Sequence, residues 1–511
     1  MLHHGRLLPR LSLRSGIRRP SFSLAGLLAS SIVLAIGGPA VGEPEGPSQL
    51  PNFVLCMADD QGWGDVGYYH KSPAITPNLD AMAKVGLRFD RFYAACPVCS
   101  PTRGSVLTGR HPNRFACFEW GHSLRPEEIT LAEALRTAGY ATGHFGKWHL
   151  GSVSADSDVS PGASGFDEWF SSPNFFDMNP LMSRRGKVVA TRGEGSKVTM
   201  DAALEFIGGC AERKQPFLAV IWFGSPHSPH HALERDRRLY PHLSKPLQHY
   251  YGEITALDRE MGRLRDALRK WNIADNTLLW YTSDNGPQGP KNRDRPGSTG
   301  GLRDRKGTLY EGGIRVPAII EWPARLPQPR VSNFPCGTID IFPTLLEWAG
   351  VSRKQLVRPL DGVSLVSILE QDAPRSKPLP FWARIDRGFS TPSRKVLEAM
   401  RAAAESGQPY HPRNDAAMRA ERTNRVLQRI EQDGLVGHAA WIDWPYKLHR
   451  IQDRKGRLQI ELYHLEKDVA ESKNRANEEP ERAARMRQAL EAWQRSVVRS
   501  LRGEDYKANP D

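Results

Sequence analysis

Four short apolar runs, each ending in a polar cluster and separated by helical patterns, constrain this chain more than any other feature. Phe53-Val54-Leu55-Cys56-Met57 leads into Asp59-Asp60, and the run 140–145 leads into Lys147-Trp148-His149. The run 217–223 leads into His227, and 277–282 leads into Asp284-Asn285. Continuous runs this short suit strands buried on both faces of a parallel sheet. Between them, Thr130-Leu131-Ala132-Glu133 reads as a capping box, with Gly139 as the helix stop. Ile254, Leu257, Met261, Leu264 and Leu268 recur at helical spacing between Tyr251 and Trp271. Strand alternating with helix predicts an α/β fold, a large mixed and mostly parallel sheet sandwiched by helices. Ligands of such sheets bind beyond the carboxyl ends of the strands, where all four polar clusters fall.

The 511 residues leave room for a second domain, expected over 371–511 after a larger one over 48–370. Within it, 388–434 is rich in Arg, Ala and Glu and reads as a helical insertion. The stretches 439–448 and 458–463 read as antiparallel strands, and the tail from Pro480 places Met486, Leu490, Trp493 and Val497 on one helical face. A smaller C-terminal α+β domain is therefore expected. At the other end, residues 1–42 read as a signal peptide: five arginines, the apolar run 22–36, then small residues. An uncleaved anchor is the alternative, and Arg18-Arg19 hints at twin-arginine export over the general route. Cleavage would leave an exported protein, periplasmic or secreted. The net charge of +13 includes those five arginines, so the remainder carries +8. That modest excess suits polyanionic substrates; its dispersal among acids, with no nucleic-acid motif, argues against a nucleic-acid partner. The six cysteines are too few for a disulfide scaffold, and their pairing cannot be read from spacing.

Cys99-Ser100-Pro101-Thr102-Arg103 concentrates chemistry in five residues. Proline suits a first helical turn, and residues four apart share a helix face, so Arg103 falls beneath Cys99. A nucleophile, a guanidinium and the N–H groups of a helix start then converge on one point, an arrangement suited to an oxyanion ester. Cys96-Pro97-Val98-Cys99 is also C-x-x-C, which elsewhere marks a redox pair; the Pro-Thr-Arg that follows and the length of the chain argue against that use. Asp59-Asp60 and Asp284-Asn285, each after a strand, offer hard oxygen ligands for a divalent cation, although either pair alone equally suits a turn. Lys147 and His149, two apart in an extended segment, point to one side.

These segments resemble, in order, the motifs of the formylglycine-dependent sulfatases, an arylsulfatase-like family of the alkaline phosphatase superfamily. Cys99–Arg103 followed by Thr108-Gly109-Arg110 resembles its signature, and Asp59-Asp60-Gln61-Gly62-Trp63-Gly64-Asp65 and Thr282-Ser283-Asp284-Asn285-Gly286 its two metal motifs. Gly146-Lys147-Trp148-His149-Leu150-Gly151, Pro226-His227-Ser228-Pro229 and Lys306-Gly307-Thr308-Leu309-Tyr310-Glu311-Gly312-Gly313 match further family motifs. The likeness spans most of 51–365; the C-terminal 461–468 resembles a family motif with His464 in place of the usual Asp.

The resemblance implies a sulfuric ester hydrolase. A separate maturation enzyme would convert Cys99 to formylglycine (3-oxoalanine), whose hydrate is the nucleophile. Asp59, Asp60, Asp284, Asn285 and position 99 would hold one Ca2+. Arg103, Lys147 and Lys306 would meet the sulfate, His227 would contact it and protonate the leaving oxygen, and His149 would act as base when sulfate is expelled. Glu311 and Arg315 are expected as a structural ion pair, and His230 and His231 as pocket or turn residues. The substrate class implied is a sulfated small molecule or glycan; Trp63, Trp120, Phe175 and Phe176 are candidate stacking faces for a sugar. Phosphonate monoester or phosphodiester hydrolysis, and non-catalytic glycan binding, are the alternatives. All of this requires position 99 to lie beside the carboxylate pairs and within reach of solvent.

Overall fold

The strands of the large sheet, in chain order, are β1 (Asn52–Ala58), β2 (Leu87–Tyr93), β3 (Ala141–Lys147), β4 (Glu168–Ser172), β5 (Leu181–Arg184), β6 (Lys187–Ala190), β7 (Phe217–Trp222), β8 (Thr277–Ser283), β9 (Arg315–Glu321), β10 (Arg330–Ser332) and β11 (Cys336–Gly337). They lie side by side as β10-β2-β9-β8-β1-β7-β3-β4-β5-β6, with β11 also against β2. The centre, from β8 through β1, β7 and β3 to β4, is parallel, whereas β9, β5 and β6 run against their neighbours. The computed structural model describes residues 50–69, 72–288, 296–352, 358–453 and 455–506. The segment read as an export signal lies outside the described residues. Among those described, no helix is long and apolar enough to cross a membrane.

Alternate side chains of β1 enter opposite layers, as the pleat requires. Phe53, Leu55 and Met57 share a core with Leu107, Leu131 and Phe342. Val54, Cys56 and Ala58 share another with Leu79, Ile207, Leu257 and Leu264. The first layer is covered by α2 (Cys99–Thr108), α3 (Leu131–Arg136) and α8 (Ile341–Trp348), the second by α1 (Pro77–Val85), α4 (Gly195–Glu212) and α6 (Lys245–Lys270). The short helices α5 (Glu234–Arg237), α7 (Glu311–Ile314) and α9 (Val366–Gln371) complete this part. The Thr130–Glu133 capping box opens α3 as expected.

A second, antiparallel sheet orders β12 (Leu379–Ala383), β13 (Gly437–Asp443), β14 (Tyr446–Gln452) and β15 (Leu458–His464) in sequence. The expected single strand over 439–448 is instead a hairpin: β13 ends at Asp443 and Trp444-Pro445 makes the turn. Proline has no N–H to give a ladder, which stops the strand there. The region 388–434 holds α10 (Ser393–Glu405) and α11 (Asp415–Asp433). On α12 (Pro480–Leu501), Met486, Leu490 and Val497 are buried, while the partly exposed Trp493 donates its indole N–H to Asp361 at 2.7 Å. All six cysteines are buried and unpaired.

Candidate active site

The polar clusters meet because their strands are parallel neighbours. Asp59 and Asp60 follow β1, Lys147 ends β3, His227 follows β7, and Asp284 and Asn285 follow β8. Position 99 arrives differently, as the first residue of α2, with Val98 as the extended N-cap. One ligand atom each of Asp59, Cys99 and Asp284 lies within 4.8 Å of the other two, as do those of Asp59, Asp60 and His227.

Carboxylates and cations interleave around this point. Lys147 Nζ is 2.6 Å from Asp59 Oδ2, and Lys306 Nζ is 2.5 and 2.7 Å from the two oxygens of Asp60. Arg103 places one nitrogen 2.6 Å from Asp284 Oδ2 and gives another hydrogen bond to the Lys147 carbonyl. Its guanidinium also lies 5.2 Å from the centre of the Trp222 ring. Asn285 donates to Asp60 Oδ1 at 2.7 Å. Burial alone would raise Asp59 and Asp60, but Lys147 for the first and Lys306 for the second, with His227 helping at both, hold them below the ordinary carboxylate range. Burial and the neighbouring Asp59 keep Asp284 above it. Burial raises the Cys99 thiol despite Lys147 and Lys306.

Not every polar atom is satisfied. Asp59 Oδ1 and Asn285 Oδ1 are buried with no hydrogen-bond partner, and so are both ring nitrogens of His149. Three carboxylates and a side-chain amide, two of their oxygens orphaned, form a donor set that fits a hard divalent cation. Burial, then the positive charge of Lys147 and Arg103, holds His149 neutral, well below the usual histidine range. Asp60 and His149 both take left-handed backbone conformations, φ 65° and 54°, which side chains other than glycine seldom adopt. Such strain persists where surrounding structure fixes it, as at sites of chemistry.

His227 borders the site at its mouth, its side chain 19 % exposed and Nε2 3.7 Å from Asp60 Oδ2. Its Nδ1 is held by the Ser228 carbonyl at 2.7 Å. Position 99 lies beside the carboxylates as expected, but at 2 % exposure it is covered, so the expected reach to solvent is not met in this conformation. The closed Lys147–Asp59 and Lys306–Asp60 pairs surround it, leaving His227 and Lys306 as the most exposed members of the group.

The other candidates separate. Glu311 and Arg315 pair at 3.6 Å. His230 reaches the Pro226 carbonyl, and His231 reaches Asp177 at 2.5 Å, so both brace the loop after β7. Trp63 is stacked on Tyr69 and covered by Arg315, and Phe176 is in the core, so neither offers a free face. Trp120 is exposed, and Phe175 is half-buried with its ring 5.1 Å from that of His227. The sequence reading missed Asn174, just past the carboxyl end of β4, the fifth parallel strand at the site. β4 carries only two apolar residues, Trp169 and Phe170, so no apolar run announced it.

Fold and site together describe an α/β protein whose polar residues gather at the carboxyl ends of parallel strands. The Sulfatase family model matches residues 51–351, and the chain belongs to the sulfatase family. It is 33 % identical over 374 residues to N-acetylgalactosamine-6-sulfatase of Canis lupus familiaris, covering 66 % of this chain and 68 % of that one. The crystal structure of Ps i-CgsB in complex with k-i-k-neocarrahexaose superposes with TM-score 0.71 at 24 % identity, covering 87 % of this chain and 93 % of the other. BT4656 in complex with D-glucosamine-2-N,6-O-disulfate does so with TM-score 0.64 at 19 % identity, over 90 % and 100 %. The protein is a sulfatase.

Proposed function

We propose that this sulfatase acts on a sulfated carbohydrate, through an aldehyde made from Cys99 and with one calcium ion bound among Asp59, Asp60, Asp284, Asn285 and position 99. The observation that carries the reading is the convergence of Cys99, Arg103 and three carboxylates with two orphaned oxygens. Formylglycine would supply, as its hydrate, a nucleophile with a second hydroxyl for release, and calcium would supply positive charge beside it.

The chain's own residues then divide the work. Lys147, Lys306 and Arg103 surround position 99 with positive charge that can be shared with a sulfate's oxygens. For Lys306 this means leaving Asp60, its partner at 2.5 Å. His227 donates from Nδ1 to the Ser228 carbonyl, so it can give a proton from Nε2 to the departing alcohol oxygen only as the imidazolium, a form that burial opposes and the neighbouring Asp60 and Asp59 favour. His149, buried, neutral and without a partner, is suited to take the proton that releases sulfate.

The carbohydrate reading draws on the relative named for N-acetylgalactosamine 6-sulfate and on the modest positive charge. The leader 1–42 supports export to the periplasm or outside the cell, with cleavage near its end and maturation at position 99 along the way.

Peptide mass spectrometry of the purified protein should find an aldehyde at position 99. A panel of sulfated mono- and polysaccharides should include an active substrate, and phosphodiesters and phosphonate monoesters should be turned over more slowly. Cys99→Ala should lower turnover by on the order of 10³-fold or more while leaving circular dichroism unchanged. Full activity with an unmodified cysteine would overturn the mechanism, and preference for a phosphonate monoester would reassign the reaction.

A further inference from the structure

Between the β4–β5 loop and the residues leading into α10 lies a cavity of about 360 Å³. His227 forms part of its wall together with Asn174, Phe175, Asp177, Ser393 and Arg394. The two sides are fastened where the Asn174 backbone N–H donates to Ser393 Oγ at 2.9 Å. Most polar groups here are already engaged: Asp177 Oδ2 by His231 at 2.5 Å and Arg394 Nε by Glu398 at 3.0 Å. Asn174 Oδ1 is the exception, a buried acceptor with no partner in the protein.

The placement of His227 decides what the cavity is for. Its Nε2 is turned to Asp60 and the reacting centre, while its ring lies 5.1 Å from Phe175 at an interplanar angle of 31°. An alcohol that takes its proton from Nε2 has its oxygen at the centre, and the cavity walled by the same His227 is then within reach of its carbon frame. The cavity offers that frame the half-buried Phe175 ring and the amide side chain of Asn174. A sugar ring matches both, with C–H bonds for the ring and hydroxyls for the acceptor.

Resting on the carbohydrate reading above, we propose that Asn174 and Phe175 hold the sugar ring of the departing alcohol, and that the Ser393 segment of the insertion is the opposite wall. These are specificity-determining residues that no motif of the reacting centre contains.

The test compares kcat/KM for a 6-O-sulfated hexosamine with that for 4-nitrophenyl sulfate, whose leaving group has no hydroxyl to offer Asn174. Asn174→Ala and Phe175→Ala should each lower the ratio of sugar to aryl kcat/KM at least tenfold, mainly through KM, and Phe175→Tyr should keep it. If both substrates lose equally, the residues merely support His227 and the proposal falls; it falls also if the ratio is unchanged. Wild type active on the aryl ester but on no sugar sulfate overturns both the carbohydrate reading and the sugar subsite. Wild type inert on every sulfate ester despite an aldehyde at position 99 overturns the sulfatase mechanism itself.

Discussion

The centre around Cys99 and the ionic cluster around Glu311 are both buried and both rich in charge, yet they are finished in opposite ways. In the second, Lys447 from β14 bridges Glu311 at 2.9 Å and Glu471 at 3.1 Å. Glu311 also accepts from Tyr93, and Glu471 accepts from His449 and from the Glu311 backbone N–H. With Nε2 engaged on Glu471, His449 accepts at Nδ1 from His438 Nε2 at 2.8 Å. Each carboxylate oxygen there has a donor, and the cluster ties the start of α7, five residues after Lys306, to the C-terminal sheet. At the reacting centre, by contrast, an oxygen of Asp59, an oxygen of Asn285 and both ring nitrogens of His149 are buried without hydrogen-bond partners. Buried carboxylates whose oxygens are all satisfied hold structure; buried acceptor oxygens left without a donor are available to a cation or ligand.

The sharpest way to break this comparison is to remove one ion from each cluster. Lys447→Met leaves Glu311 and Glu471 without their shared cation and should destabilise the fold by roughly 3–5 kcal/mol, read from urea unfolding. A loss under about 1 kcal/mol would deny that cluster its structural role. Adding calcium to chelator-treated protein should do the reverse at the centre. At a hundredfold excess over Kd it should stabilise by about 2.7 kcal/mol, seen as a rise in Tm that Asp284→Asn abolishes. The same rise in the variant would move the ion elsewhere.

The smallest effect concerns pH. Burial, then Lys447 for His449 and the adjoining His449 and Arg384 for His438, holds both rings well below the usual histidine range. Unfolded, each takes a proton near pH 6.5, so the unfolded state binds more protons below that value. The stability these groups contribute is therefore present above about pH 6.5 and falls as the solution is acidified. His449→Gln should flatten the slope between pH 6 and 5 by about 1.4 kcal/mol per pH unit. An unchanged slope would mean that His449 is already protonated in the native cluster.

Motif spacing made most of the centre readable before any coordinates. An apolar run followed at once by acids or a Lys-x-His is a local pattern, and a parallel sheet sends every such end to one edge. Asp59, Asp60, Lys147, His227, Asp284 and Asn285 meet for that reason, and Cys99 and Arg103 share a helix face because four residues make one turn. The hairpin at Trp444-Pro445 was missed because two short strands with a proline between them read as one run.

By itself, then, the sequence determined the α/β class and the strand ends that carry the polar clusters, since these follow from periodicities of two to four residues, while the roles of those residues came from the resemblance of their motifs to a family. Only the tertiary structure decided which aromatic faces stay free, that position 99 is covered, and that Lys447 reaches Glu311 136 residues away. It also decided that Asn174 faces Ser393 across 219 residues of chain. Such pairings depend on how whole layers pack, and no short stretch of sequence carries that information.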